Sequence, residues 1–178
     1  MELTEALLTS ERIYEGKILN LRRDWVRLPD GNKASREVVE HPGAVAIIAL
    51  DKEGNVYLVR QYRHPIGQET LEVPAGKLDA GEEPLACARR ELAEEAGLAA
   101  ATWQLLLTFY TTPGFSNEIM YLFLASGLEP YQEEADADEF LAVVRLPLPA
   151  AVNLIYQGAI KDAKSIAGLL AVARTLEA

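Results

Sequence analysis

Residues 76–98 read GKLDAGEEPLACARRELAEEAGL, and this is the most informative stretch of the sequence. Glu91, Glu94 and Glu95 are spaced i, i+3 and i+4, so a helix places these three carboxylates on one face. The macrodipole disfavours negative charge near a helix C-terminus, and like charges at this spacing cost roughly 0.2–0.5 kcal/mol more. A divalent cation removes both penalties because hard cations bind carboxylate oxygens. The alternative interpretation is a plain solvated, charged helix.

The sequence also predicts where this helix begins and ends. Pro84 suits the first helical position, where its missing N–H group costs nothing. Gly97 suits the left-handed conformation just after the last turn. An apolar stripe is expected to face the core, and its members are Leu85, Ala88, Leu92 and Ala96.

The full spacing resembles a complete Nudix box. Its fixed positions are Gly76, Glu82, Arg90, Glu91, Leu92, Glu94, Glu95, Gly97 and Leu98. The resemblance implies a pyrophosphohydrolase that splits a nucleoside diphosphate linked to another moiety. It implies magnesium, with manganese as an alternative ion, and the implied metal ligands are the carbonyl of Ala75 and the side chains of Glu82, Glu91 and Glu95. It also implies that Arg90 orients the glutamates and that Glu94 assists catalysis.

Flanking segments resemble the ADP-ribose pyrophosphatase branch of this family. They are QYRHP at 61–65, LEVPAG at 71–76, TPGFS at 112–116 and DAK at 162–164, with Asn117 standing where the branch often has aspartate. The branch implies hydrolysis of ADP-ribose to AMP and ribose 5-phosphate. The substrate-binding residues that it implies are Arg36, Tyr62, Arg63, Glu72, Pro113, Gly114, Phe115 and Ser116.

A second acidic run, EEADADE at 133–139, precedes an apolar segment. Most acidic loops are simply solvated. In the branch, however, a loop at this place carries the general base that deprotonates the attacking water, and Glu139 matches best. Its neighbours Glu133, Glu134, Asp136 and Asp138 remain alternatives.

Other functions stay open at this point. The chain could hydrolyse another nucleotide sugar or a dinucleoside polyphosphate. A non-catalytic nucleotide-sensing module is a further alternative, but a pure binder has no use for carboxylates that face a pyrophosphate without metal. A structural or scaffolding protein is the remaining class.

Composition limits the partners. The 178 residues carry a formal net charge of −10, which argues against nucleic acid because phosphate backbones require a basic surface. A small anionic nucleotide sugar is still compatible, since a bound metal supplies local positive charge. The sequence shows no apolar stretch of membrane-spanning length and no secretion signal, so we expect a cytoplasmic protein without a membrane partner. Cys87 is the single cysteine and is expected to be a small packed residue.

The order of elements predicts an α/β protein. Strands are expected at 18–28, 34–39, 43–50, 56–62, 69–73, 102–110, 119–125 and 140–146, and helices at the box, 149–157 and 161–176. This order predicts a Nudix fold, with a mixed sheet layered between helices as an α/β/α sandwich. We expect an N-terminal β-hairpin extension over 1–40 and the Nudix domain over 41–178. The resemblance implies that the extension forms a homodimer interface, and Trp25, Val26 and Leu28 give it more apolar surface than it needs alone.

Overall fold

The structure is a computed structural model, and it describes residues 3–131 and 140–176. The described residues form two compact units, one within 3–43 and 110–119 and the other within 44–109, 120–131 and 140–176. The strands are β1 (Ala6–Glu15), β2 (Asn20–Arg27), β3 (Lys33–Glu40), β4 (Ala44–Leu50), β5 (Asn55–Arg63), β6 (Gln68–Glu72), β7 (Ala75–Lys77), β8 (Leu98–Tyr110), β9 (Ile119–Pro130) and β10 (Ala142–Pro147). The helices are α1 (Pro84–Ala96), α2 (Leu148–Tyr156) and α3 (Ala163–Leu176), with a short 3-10 turn at His64–Ile66.

The first unit contains an antiparallel sheet in the order β1-β2-β3. The hairpin predicted from the sequence is present as β2 and β3, and its turn is closed by the Leu28 N–H, which donates to the Asn32 carbonyl at 2.8 Å. Strand β1 was not predicted. Nearly all of its residues are exposed, so it has no alternating apolar pattern to reveal it, and pairing with β2 holds it in place.

The apolar surface of this sheet differs from the expectation in one residue. Val26 is buried, whereas Trp25 on the opposite face of β2 is 45% exposed. The alternation of side chains along a strand explains the difference, because neighbouring residues point to opposite faces. Trp25 therefore carries the exposed apolar surface that the sequence suggested for this pair.

The second unit is built on a seven-stranded sheet whose main order is β10-β5-β4-β9-β8, with β6 paired to β5 and β7 paired to β4. Strands β4 and β9 run parallel, while β5 pairs antiparallel with β4, β6 and β10. The predicted mixed sheet is confirmed. The short strand β7 lies directly before the box helix and was read from the sequence only as part of the motif.

Strand β4 forms the middle of the sandwich because both of its faces are buried. Its odd-numbered residues, Val45, Ile47 and Ala49, belong to a core cluster with Cys87, Ala88 and Leu92 of α1. Its even-numbered residues, Ala44, Ala46 and Ile48, belong to a second cluster with Ala151 of α2 and with Leu169 and Val172 of α3. A helix layer on each side of the sheet confirms the α/β/α arrangement.

Helix α1 begins and ends where the sequence predicts. Pro84 is its first residue, and Gly97 caps it with φ 65° while its N–H group donates to the Ala93 carbonyl at 3.0 Å. The predicted apolar stripe is wrong at Leu85, which is 36% exposed. The buried face is rotated away from Leu85, so that two glutamates lie within it.

Among the described residues, we find no helix with the length and apolar content needed to cross a bilayer.

Candidate metal and substrate site

Two glutamates of α1 are buried against strand β7. Glu91 is 8% exposed and Glu95 is 6% exposed. The Ala75 N–H group donates to Glu95 Oε2 at 2.8 Å, which ties the end of the helix to the start of the strand. A Cβ atom built on Gly76 would lie 1.9 Å from Oε1 of Glu91. Glycine leaves room for the carboxylate in this position, and any larger residue at 76 would require the end of the Glu91 side chain to move.

Arg90 is the centre of the carboxylate cluster. Its Nε and Nη2 atoms donate to the two oxygens of Glu82, each at 3.1 Å. Its Nη1 atom donates to Glu91 Oε1 at 2.7 Å and to Glu94 Oε2 at 2.9 Å. One guanidinium therefore orients three glutamates, which is the arrangement that the sequence predicts for this arginine.

Acidic side chains outnumber basic ones in the described part of this cluster. Hydrogen bonds from Arg90 lower the pKa of Glu82 to about 2, so this carboxylate stays ionised at neutral pH. The same pairing with Glu82 raises the pKa of Arg90. Glu91, Glu94 and Glu95 belong to the same turns of α1. Carboxylate oxygens are the donor set that a hard divalent cation takes.

The cluster is not arranged as a finished metal site. Over residues 3–131 and 140–176, no three acidic, histidine or cysteine side chains are placed to hold one ion. Glu82, Glu91 and Glu94 each direct an oxygen to Arg90 instead. The chemistry of the donors fits a divalent cation, and occupancy requires these carboxylates to share their oxygens between the cation and Arg90.

Cys87 contributes packing to this helix, as the sequence suggests. It is fully buried, and burial raises the pKa of its thiol to about 12, with further contributions from the charges of Glu82 and Glu91. A thiol in this environment stays protonated at neutral pH and is a poor nucleophile.

A second charged cluster joins β5, β6 and α3. Arg63 binds Glu72 through two parallel hydrogen bonds, Nε to Oε1 at 2.9 Å and Nη2 to Oε2 at 2.7 Å. Thr70 donates to Oε1 at 2.6 Å and Lys164 to Oε2 at 2.5 Å. Glu72 is 2% exposed, and its burial favours a raised pKa; Arg63 and Lys164 outweigh burial and lower the pKa to about 2.

Helix α3 begins with residues that close this cluster from the other side. Asp162 accepts the Ser165 N–H at 3.0 Å, as an N-cap side chain does, and also binds Lys164 at 3.0 Å. The buried Ser165 hydroxyl donates to Asp162 at 2.6 Å and accepts the Val73 N–H at 2.9 Å. Sequence reasoning noted residues 162–164 but assigned them no role. The signal was an aspartate three residues before a serine at a helix start.

Tyr62 lies beside Arg63 on β5 and is exposed. The side chains of these neighbouring residues point to opposite faces of the strand. Only Arg63 therefore shares a face with Glu72. Glu139 and its four acidic neighbours lie outside the described residues.

The first unit contains the other residues that were predicted to bind substrate. Arg36 on β3 is exposed and pairs with Glu5 through Nε at 3.0 Å. The loop with Pro113, Gly114, Phe115 and Ser116 is fastened to the end of β3, because the Val39 N–H donates to the Phe115 carbonyl at 2.7 Å. The Asn117 side-chain oxygen accepts the His41 N–H at 2.8 Å. An aspartate would offer the same acceptor, so the departure at Asn117 preserves this contact.

The fold and the carboxylate-bearing box helix define a family, and the chain belongs to it. The family described as "NUDIX domain" matches residues 40–169. The segment before it, residues 5–39, matches the family described as "Nucleoside diphosphate sugar hydrolase N-terminal domain". Nudix hydrolases generally use a divalent metal.

Several characterised relatives are similar over nearly the whole chain. An ADP-ribose pyrophosphatase of Mycobacterium tuberculosis is 47% identical over 93% of this chain and 81% of its own length. An ADP-ribose pyrophosphatase of Bacillus subtilis is 42% identical over 92% of this chain and 89% of its own. A methanol dehydrogenase activator of Bacillus methanolicus is 41% identical over 91% and 89%. A solved structure, "Crystal structure of ADP compounds hydrolase", superposes with a TM-score of 0.88 at 24% identity over 99% and 97%, and this likeness supports the fold.

Proposed function

We propose that the chain is a magnesium-dependent hydrolase that cleaves ADP-ribose to AMP and ribose 5-phosphate, with manganese as an alternative ion. The observation that carries the proposal is the Arg90 cluster, in which buried carboxylates outnumber their cation beside a glycine that leaves room for Glu91. Relatives named ADP-ribose pyrophosphatase, at 42% and 47% identity, support the substrate. A relative at 41% identity carries a different name, so a panel of substrates is needed to identify the substrate of this chain.

The metal would be held by the Ala75 carbonyl and by Glu82, Glu91 and Glu95. When bound, it neutralises pyrophosphate oxygens and makes a bound water easier to deprotonate. Arg90 keeps the glutamates in position, and Glu94 shares the same guanidinium, so both belong to the catalytic set. Arg36, Tyr62, Arg63 and the 113–116 loop are proposed to bind substrate.

The reaction is a hydrolytic substitution at phosphorus. The water oxygen forms a new P–O bond, the P–O bond to the bridging oxygen of the pyrophosphate breaks, and one phosphate leaves with each product. Glu139 is proposed to take the proton of the attacking water. Turnover measured for Glu139→Gln beside Asp136→Asn and Asp138→Asn tests this assignment. A normal rate for Glu139→Gln together with an inactive neighbour moves the base to that neighbour, and three active variants exclude Glu139, Asp136 and Asp138 as the base.

The function is tested by comparing ADP-ribose with GDP-mannose and a dinucleoside polyphosphate at equal concentration, with and without magnesium. We expect AMP release from ADP-ribose only with divalent metal, and faster than hydrolysis of the other two substrates. Faster hydrolysis of GDP-mannose would identify GDP-mannose, and not ADP-ribose, as the preferred substrate. Binding of nucleotide without hydrolysis of any substrate would favour a sensing module.

We also propose a homodimer formed through the β1-β2-β3 sheet, supported by exposed apolar residues that include Leu7, Ile13 and Trp25. Two-fold dimers are the commonest closed assemblies. Light scattering at micromolar concentration should give about twice 19.5 kDa, and a monomer would contradict the proposal. A cytoplasmic location stays a prediction.

A further inference from the structure

Glu72 has no free capacity to bind a ligand. An ionised carboxylate offers about four acceptor positions. Those of Glu72 are used by Arg63 Nε, Arg63 Nη2, Thr70 Oγ1 and Lys164 Nζ, all within 2.9 Å. A buried carboxylate with all its acceptor positions used can only hold its protein partners in place. We therefore assign the predicted substrate contact to an accessible partner of Glu72 and not to Glu72 itself.

Arg63 is that accessible partner. Its side chain is 41% exposed, while Lys164 is 11% exposed. Its Nε/Nη2 edge is used on Glu72, and Nη1 has no hydrogen-bond partner within the described part of the chain. Arg63 also lines a surface cavity of about 320 Å³ together with Thr70, Glu72, Lys161, Asp162 and Lys164. The other edge of the guanidinium, which Nη1 and Nη2 form, is suited to a phosphate or carboxylate group.

Lys164 completes the arrangement from another element. It bridges Glu72 and Asp162, at 2.5 and 3.0 Å, from the first turn of α3. A bidentate pair holds a guanidinium only as firmly as its carboxylate is itself held. Lys164 and Thr70 fix that carboxylate from two directions, so that it cannot rotate away with Arg63.

We propose that Lys164 is a positioning residue that acts through the buried carboxylate of Glu72 to hold Arg63 in the orientation that binds an anionic group of the substrate. This inference rests on the proposed function, since Arg63 is assigned to the substrate there. Lys164 lines the same cavity, but its ammonium group is directed to Glu72 and Asp162, and the proposal assigns its effect to these contacts. The ordering of Arg63 contributes affinity because less side-chain freedom is lost when the ligand binds.

A double-mutant cycle tests the inference. The affinity for ADP-ribose is measured by calorimetry on the full chain in EDTA, so that neither metal loading nor turnover enters the result. Lys164→Met removes the charge and keeps the side-chain length, and we expect affinity to fall about tenfold, which corresponds to about 1.4 kcal/mol. In an Arg63→Met background the same change should have no further effect, because coupled residues are not additive.

The matched control is Arg145→Met. Arg145 pairs with Asp51 and Glu53 in the same unit, and it lies outside the proposed machinery. This variant should bind ADP-ribose with unchanged affinity even if it is less stable. Should Lys164→Met not fold, Thr70→Val removes one donor to the same carboxylate, and the same cycle with Arg63→Met applies. Full additivity in either cycle would overturn the proposal, and so would unchanged affinity in the single variants.

A separate readout distinguishes this inference from the proposed function. Nitrogen-15 NMR follows the Arg63 Nε–H signal without any ligand. We expect slow exchange with water in the wild type and in Arg145→Met, and faster exchange in Lys164→Met. If the wild type neither binds nor hydrolyses ADP-ribose, the proposed function fails, and the NMR result alone decides whether Lys164 orders Arg63. Unchanged exchange in Lys164→Met would refute the ordering.

Discussion

The two charged clusters of the second unit are built from the same residue types with opposite balance. Around Arg90, one cation is shared by three carboxylates, Glu82, Glu91 and Glu94. Around Glu72, one carboxylate is shared by two cations, Arg63 and Lys164. Carboxylates are in the majority in the first cluster, which suits the proposed metal. In the second cluster Asp162 also pairs with Lys164, so that two carboxylates and two cations hold one another. The first cluster is therefore proposed to bind a cation, and the second to hold Arg63 ready for an anion.

We expect the largest effect, a loss of hydrolytic activity, from a substitution in the acidic cluster of α1. Glu95→Gln removes a charge but keeps an oxygen that can accept the Ala75 N–H group. We expect ADP-ribose hydrolysis to fall on the order of 10²–10⁴-fold, since an electrostatic contribution of several kcal/mol is lost. The free energy of unfolding without metal should not decrease, because carboxylate repulsion is relieved. Single-turnover kinetics and urea unfolding measure the two quantities.

The control for that prediction is Glu83→Gln, the same chemical change at the exposed N-cap of the same helix. It should retain activity. Near-normal hydrolysis by Glu95→Gln at saturating substrate would remove this residue from the metal-binding set.

In the cluster around Glu72, we expect loss of a charge to lower the free energy of unfolding. Glu72→Gln removes a buried counter-charge that Arg63 and Lys164 share, and leaves Lys164 with Asp162 alone. We expect the free energy of unfolding to fall by about 3 kcal/mol, as when one partner of a buried ion pair is removed. Glu53→Gln, which weakens an exposed pair with Arg145, should change it by less than about 1 kcal/mol. Equal losses in the two variants would show that burial does not distinguish these pairs.

A smaller loss is expected at the start of α3. Ser165→Ala leaves the buried Val73 N–H group without its acceptor and removes a donor to Asp162. We expect a loss of about 2 kcal/mol in urea unfolding. Thr175→Ala, which removes a hydroxyl bonded to its own helix at the Val172 carbonyl, is the control and should cost less. A neutral Ser165→Ala would indicate that the Val73 N–H group finds another partner.

The last prediction is a change in pH dependence. The pKa of Glu72 is lowered from 4.5 to about 2 in the folded state. Its ionised form therefore adds stability that is fully present above pH 4.5 and is lost as the pH falls through 2. The stability difference between wild type and Glu72→Gln should be constant from pH 5 to 7 and should narrow towards pH 2. A difference that stays constant down to pH 2 would refute the lowered pKa.

Local signals allowed much of the fold to be predicted. Proline and glycine marked both ends of α1, and uninterrupted apolar residues marked the doubly buried β4. Strand β1 could not be predicted because its exposed side chains show no periodic apolar pattern. Pairing with β2 holds it in place, and this contact is not visible in the local sequence. Leu85 was misplaced because the helix buries two glutamates, which hydrophobic periodicity counts as outward-facing residues.

One part of the candidate site could also be predicted from the sequence, and another part could not. The motif spacing predicted that Arg90 contacts its glutamates, because all but one of these partners lie within four residues on a single helix. The Glu72 cluster could not be predicted in detail, since Lys164 is 92 residues from Glu72 along the chain. Only the packing of α3 against the sheet brings them together.

The close approach of Glu91 to Gly76 has a consequence for how the motif can change over evolutionary time. A side chain at 76 would displace the carboxylate of the residue fifteen positions later, whatever reaction that carboxylate serves. Alanine at 76 should become acceptable once position 91 is shortened, for example to alanine. A lineage that abandoned hydrolysis and lost Glu91 would then be free to lose Gly76 as well. We therefore expect the two positions to vary together among descendants, with loss of the glycine following loss of the carboxylate.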